Sequence, residues 1–442
     1  MNRRAYLTGV VVTSAVLALA ACSSSSSGGS GSGSGSKTLV VQGNQYSIPV
    51  FEQVGKLFEQ QNPGVKITYQ TLNDQQESTT NLQVLTSSAA PDIADLPTNT
   101  TVYTEMIKNN QLLPLDDVWQ ADNLEAGYGE PLASSLKANG TPYVICYSRT
   151  LYGVVWYNKS IFSKLGIDVP ADHQIASMDN LQKITDTLRS GGYQPLAVGG
   201  ASDYQLTWIL DSLLPTSASP TQLTNYTTNY QASVPVTAQY TDPAFTAVLE
   251  RLKQMYDDKV FQDGVLGMDQ TADLALFAAG KAGMVMGHNL TPTGLSTSNK
   301  VNLDLGYLFL PPVNAGQKTL PVNYAGNTVA IPKDAKNPDL AKKYLEFLMT
   351  AANQSKSIAW SQGAAPGINL SAADLKTGAP PIELDLLAYA QQNGTAAGWA
   401  SIVPASLGTA DPYIEKLFTG STTAQAIGTA LNGERDKIRA GS

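Results

Sequence analysis

From Lys37 onward the chain switches between two hydrophobic periods. Lys37 to Gln42 reads as a strand, after which Val50, Val54, Leu57 and Phe58 recur at helical spacing. Val65 to Tyr69 alternates as a second strand, Leu82 and Leu85 mark a helix, and Pro91 introduces a short strand over Asp92 to Leu96. Further on, Met178, Leu181, Ile184 and Leu188 form one apolar face that ends at Gly191 and Gly192, and a strand follows over Pro195 to Val198. Asp242-Pro243, Asn337-Pro338 and Asp411-Pro412 each place a capping side chain before a proline suited to the first helical turn. Behind them run the stripes Phe245, Val248, Leu249, Leu252 and Met255, then Leu340, Tyr344, Leu345 and Leu348, then Tyr413, Ile414, Leu417 and Phe418. Stripes of this kind locate helices that face a core.

Repeated strand and helix alternation defines an α/β protein with mainly parallel sheets. No fixed-period repeat runs through the sequence, which disfavours solenoids and propellers. So many units exceed what one sheet absorbs easily. Two lobes with a cleft between them is the natural solution.

The first 36 residues follow a different pattern. Arg3 and Arg4 precede an apolar run from Leu7, then Leu19-Ala20-Ala21-Cys22, then a Ser/Gly tract to Ser36. A basic head, an apolar middle of roughly 15 residues and small residues before a cut describe an export signal over residues 1–21. The run is shorter than the roughly 20 residues of a membrane span. Leu19 to Cys22 resembles a bacterial lipoprotein box, which implies lipidation of Cys22 and an anchor on the outer face of the cytoplasmic membrane. Asn2 to Thr8 also resembles a twin-arginine signal, so both export through the unfolded route and export after folding stay open. Residues 22–36 then form a flexible leash without core-forming side chains.

Composition narrows the function. The 442-residue chain carries a net charge of -8 and no long basic run, which argues against nucleic acid. Only 14% of residues are charged while tyrosine reaches 20, so the surface relies on hydroxyls and amides. With Cys22 lipidated, Cys146 stands alone within Tyr143 to Tyr147, where a buried packing role fits. His173 and His288 share no metal-ligand spacing, and neither a phosphate loop nor a nucleophile elbow is present. No cofactor is expected.

Three blocks resemble the extracellular solute-binding proteins of ATP-driven importers, specifically the maltose-binding-protein-like carbohydrate family. They are Gly140 to Tyr143 with Leu151 to Lys159 and Ile161 to Gly166, then Phe277 to Met284 with Gly287, then Gly326 to Pro332 with Lys336 to Pro338. The resemblance implies a two-lobed periplasmic-binding-protein-like fold with an interlobe cleft. Its hinge would have three crossing segments, near Tyr147 to Leu151, Leu310 to Asn314 and Thr350 to Ser355. Residues 37–148 and 314–350 would form lobe one, and 149–313 with 351–442 lobe two. It further implies a monomeric, non-enzymatic receptor that hands a carbohydrate to the membrane subunits of an ABC permease.

A sugar offers C–H faces and hydroxyl rings, so its receptor needs aromatic surfaces and planar amides or carboxylates. Ligands of open α/β sheets lie beyond the carboxyl ends of strands. That rule points to Gln42 and Asn44 after the first strand, and to Asn99 and Thr100 after the strand at Ile93, although amides also close turns. In lobe two the resemblance points to Tyr204, Trp208, Trp399 and Tyr413, each of which packs equally well in a core. Many relatives carry a sugar-stacking tryptophan where this chain has Gly287-His288-Asn289, so His288 and Asn289 are expected to hydrogen-bond a smaller or more polar ligand. Gly326 and Asn327 offer close backbone approach and one more amide. Two alternatives remain open. One is a receptor for a peptide, polyamine or osmolyte; the other is a secreted carbohydrate-degrading enzyme, which needs paired carboxylates, and Asp116-Asp117 and Asp257-Asp258 adjoin in sequence.

Overall fold

A computed structural model describes residues 37–44, 47–72, 81–129, 132–202, 204–297, 299–324, 327–361, 364–371, 373–375 and 380–441. Cys22 and the export and anchor readings, together with Gly326, lie outside the described residues.

Six strands come before the first crossing: β1 (Lys37–Asn44), β2 (Val65–Leu72), β3 (Ala94–Asp95), β4 (Lys137–Ala138), β5 (Thr141–Pro142) and β6 (Val144–Cys146). Five follow, β7 (Ser148–Asn158), β8 (Gln194–Ala197), β9 (Ala282–His288), β10 (Leu305–Leu308) and β11 (Val322–Tyr324). The last three are β12 (Thr328–Ala330), β13 (Ala365–Pro366) and β14 (Ala396–Ala397).

Lobe one is built on β2, β1, β3, β12 and β6 in spatial order. β1 pairs with β2 in parallel, Val41 bridges to Ile93, and β12 runs antiparallel to both β3 and β6. Its core joins Leu39 and Val41 to the Ile48–Gln61 helix through Phe51, Val54 and Phe58. Burying each such side chain contributes about 1.5–3 kcal/mol. Lobe two is built on the order β14-β11-β7-β9-β8, with β10 and β13 also on β7. Ser177 caps the Met178–Ser190 helix, whose Leu181, Ile184 and Leu188 enter the second core, and Gly191 ends it.

The expected parallel sheets are in fact mixed. β7 runs antiparallel to β9, β10, β11 and β13. The cause is topological: a chain that crosses outward on β7 and returns on β11 makes successive passes in opposite directions. β7 also bends at Gly153, which has a φ of 75° and breaks the register between Tyr152 and Val154. A Cβ at Gly153 would overlap the Ser212 hydroxyl, so the strand bulges only because this residue has none.

Two crossings lie later than expected. Residues 310–314 stay in lobe two, because Leu310 is in its core and Arg251 donates to the Pro312 carbonyl while Val313 N donates to Thr216. The return runs from β11 to β12. The third crossing is also displaced, since Thr350 starts a new helix, Ala351–Trp360, whose Ile358 joins the first core with Ile368, Leu370 and Leu375. Ile358, Ile368, Leu370 and Leu375 thus pack with the first core, while Ala365–Pro366 pairs with β7 of the second sheet.

The three Asx-Pro signals do mark helix starts, but the side chains work elsewhere. Asp242 accepts from Gln239 N, and Asn337 Nδ2 donates to the Thr38 carbonyl. Asp411 accepts from Leu206 N at 3.0 Å, from Thr207 N at 3.2 Å and from the Thr207 hydroxyl, so it caps the Gln205–Leu213 helix instead of its own.

Candidate functional site

Strand alternation along β7 sets the geometry. Ser148, Thr150 and Tyr152 share one face; Arg149 and Leu151 share the other. On the first face the Tyr152 ring lies 5.4 Å from Trp208, which lies 5.1 Å from Tyr204 and 5.8 Å from His288. Exposure falls along this run, from 40% at Tyr204 through the half-buried Trp208 to 2% at Tyr152. Tyr324 pairs with Thr150 and packs into the same cluster. Asn327 Nδ2 donates to Ser148 at 3.2 Å and reaches Thr150 at 3.5 Å, so it sits where the chain returns to lobe one. The result is an aromatic slope bordered by hydroxyls and one amide, the chemistry a sugar's C–H face and hydroxyls require.

At the crossing edge of lobe one, Ser47 donates to Asp95 at 3.0 Å and Asn44 accepts from Ser47 N. Residues Pro97 to Thr100 are half-buried, and Thr100 caps the Thr101–Lys108 helix through Tyr103 N. Thr328 ties this loop to the return strand by donating to the Leu96 carbonyl. Asn44, Asn99 and Thr100 are thus brought to the edge where the lobes join.

Other expected residues are placed differently. Trp399 is fully buried, with its indole N–H donating to Tyr240 and its ring edge-on to Phe245. The small residues before it open no path to the cleft, because the Trp399–Ile402 helix packs into the second core. Asn289 is also fully buried and holds Leu151 N through Oδ1 at 2.8 Å. Gln42, 1% exposed, accepts from Asn81 inside lobe one. Tyr413 packs against the second core. His288 is half-buried, and burial pushes its imidazole down to about 4, so it faces Trp208 as a neutral ring. Asp117 pairs with Lys342 and Asp257 with Lys253, so neither adjacent carboxylate pair is poised over a shared substrate position.

Sequence reasoning missed Tyr152, Thr150, Tyr324 and the support beneath them. Tyr152 donates to Asp211 Oδ2 at 2.6 Å, and Asp211 Oδ1 accepts from Ala400 N at 3.1 Å. Burial pushes Asp211 up to about 7, and does the same to Asp273 and Glu383. Raised carboxyl values mean that the folded state holds protons the unfolded chain has already released, so stability is greatest in acid and falls as pH rises through the folded values. His288 opposes this only below its ordinary value of 6.5. Stability is therefore expected to decline between about pH 5 and 7 and then level, by up to about 1.4 kcal/mol per pH unit for each proton difference. Urea unfolding across that range checks this. Asp211→Asn should flatten the slope, and an unchanged slope would show that Asp211 is not a contributor.

A two-lobed α/β scaffold with an aromatic slope beside its hinge defines a cleft-type binding protein. The model of the bacterial extracellular solute-binding protein family matches residues 43–355, and the chain belongs to that family. An ABC transporter extracellular-binding protein of Pyrococcus horikoshii, itself uncharacterised, is 26% identical over 312 residues, which is 69% of this chain and 65% of that protein. The fold is similar to that of a chitin oligosaccharide binding protein, with a TM-score of 0.71 at 19% identity over 91% of this chain and 99% of that one. It is similar also to the bacterial solute receptor AcbH, described as having an exclusive preference for β-D-galactopyranose, with a TM-score of 0.72 at 18% identity over 92% and 99%. Among the described residues, no helix is long and apolar enough to cross a membrane.

Proposed function

We propose that this protein captures a carbohydrate between its lobes and delivers it unaltered to an ABC-type permease. The observation that carries the reading is the pair Tyr204 and Trp208, backed by the buried Tyr152, which offers a stacking surface next to Thr150, Tyr324 and Asn327. The sugar-binding descriptions of proteins with the same fold support it. Lobe one, which holds the first core, would supply Asn44, Asn99 and Thr100; lobe two, which holds the second, the aromatic side. Ligand contact with both lobes favours a closed arrangement through its differential affinity. Lipidation at Cys22 would hold the receptor at the extracellular membrane face, where the leash raises its concentration near the permease.

A thermal-shift screen against mono-, di- and oligosaccharides, with amino-acid derivatives and polyamines alongside, tests the reading. Because ligand binding to the folded state raises its stability, at least one saccharide should raise the melting temperature by several degrees. That saccharide should be recovered chemically intact after prolonged incubation. A shift only with amines or peptides, or cleavage of the sugar, would overturn the proposal.

A further inference from the structure

The opposite face of the hinge sheet holds a cavity of about 460 Å³ that the carbohydrate reading does not use. Its walls include Tyr128 and Leu132 from lobe one, Arg149 and Asn323 from the crossing strands, and Leu387 and Gln391 from the Pro381–Asn393 helix. Leu151 and Asn323 are register partners on this face, while their neighbours Tyr152 and Tyr324 belong to the aromatic slope. Two polar groups here are incompletely satisfied. Arg149 donates to the Pro366 carbonyl at 2.6 Å, to Asn369 Oδ1 at 3.1 Å and to the Ile368 carbonyl at 3.2 Å, all neutral oxygens, so that among the described residues two of its five N–H groups find no acceptor and no carboxylate pairs with its charge. Asn323 is 9% exposed, and its Oδ1 has no hydrogen-bond partner. A buried acceptor left unmade is costly, and a half-buried guanidinium without a carboxylate partner offers its remaining N–H groups to an anion.

We propose that this cavity is a second ligand site, for a small polyhydroxylated carboxylic acid. The carboxylate meets the free N–H groups of Arg149, a hydroxyl donates to Asn323 Oδ1 once that closed-off amide turns toward the cavity, and the C–H face of the molecule lies on Leu132, Leu151 and Leu387. The volume falls within the range of about 300–1,000 Å³ usual for small-molecule pockets. An uncharged sugar would leave the guanidinium without a counter-ion, and so binds less well.

The test is calorimetry of the full-length protein with glucuronate, galacturonate and gluconate, set against glucose and galactose. At least one acid should bind, at least tenfold more tightly than the neutral sugars do at the same site. Asn323→Leu keeps the branched outline of the side chain at a larger volume and removes the orphaned amide; it should leave the melting temperature unchanged or higher and weaken the acid tenfold or more. Tyr204→Ala, on the other face, should leave acid binding intact, so failure of the carbohydrate reading and failure of this one are distinguishable. The proposal is wrong if none of the three acids binds, if Asn323→Leu binds them as the parent does, or if Tyr204→Ala abolishes their binding.

Discussion

Trp208→Ala is expected to weaken saccharide binding by about two orders of magnitude. Trp208 touches Tyr204, Tyr152 and His288 at once, so it forms the middle of the slope and fixes the rings on either side. Truncating an aromatic anchor of this kind costs about 2–4 kcal/mol of binding, and about 2.7 kcal/mol corresponds to a hundredfold. Because Trp208 also packs against the second core, part of the loss could come from a loosened lobe. Tyr204→Ala separates the two causes. Tyr204 is 40% exposed, so its truncation should cost at least tenfold in affinity with stability changed by no more than about 0.5 kcal/mol. Calorimetric titration beside urea unfolding reads both quantities; unaltered affinity in either variant would remove the slope from the binding site.

Asp411→Ala should be the most destabilising polar substitution in lobe two. Its fully buried carboxylate serves two N–H groups in the first turn of the Gln205–Leu213 helix and the Thr207 hydroxyl. Alanine leaves those donors dry, at about 1–3 kcal/mol for each unsatisfied group. A loss of about 3–5 kcal/mol is expected by urea unfolding, of the order seen for broken buried networks. Asp411→Asn keeps one acceptor oxygen and should lose less than half as much. Since this helix carries Trp208, the alanine variant should also bind saccharide more weakly. A loss below about 1 kcal/mol would mean that water or a shifted side chain satisfies these donors.

Much of this scaffold was legible in the sequence. The stripes from Phe245 to Met255 and from Tyr344 to Leu348 are buried faces of the helices that their spacing implies, and Cys146 is a buried packing residue whose thiol burial pushes up to about 12. Tyr204 and Trp208 do lie together. What failed has a common physical cause, because each miss depends on contacts remote in sequence. Asp411 caps a helix 204 and 205 positions earlier, Trp399 finds its partner at Tyr240, and Ile358 packs in the first core. Tyr152 was within reach. Its alternation with Ser148 and Thr150 carries a period-two signal, but the surrounding apolar run conceals which face is wet.

The most direct measurement is a crystal structure of the protein with the saccharide that gives the largest thermal shift. A sugar ring within about 4 Å of Tyr204 and Trp208, touched from the other side by the Pro97 to Thr100 loop, is the expected result. A sugar held by one lobe alone, or seated beside Asn323 on the reverse of the hinge, would contradict the account.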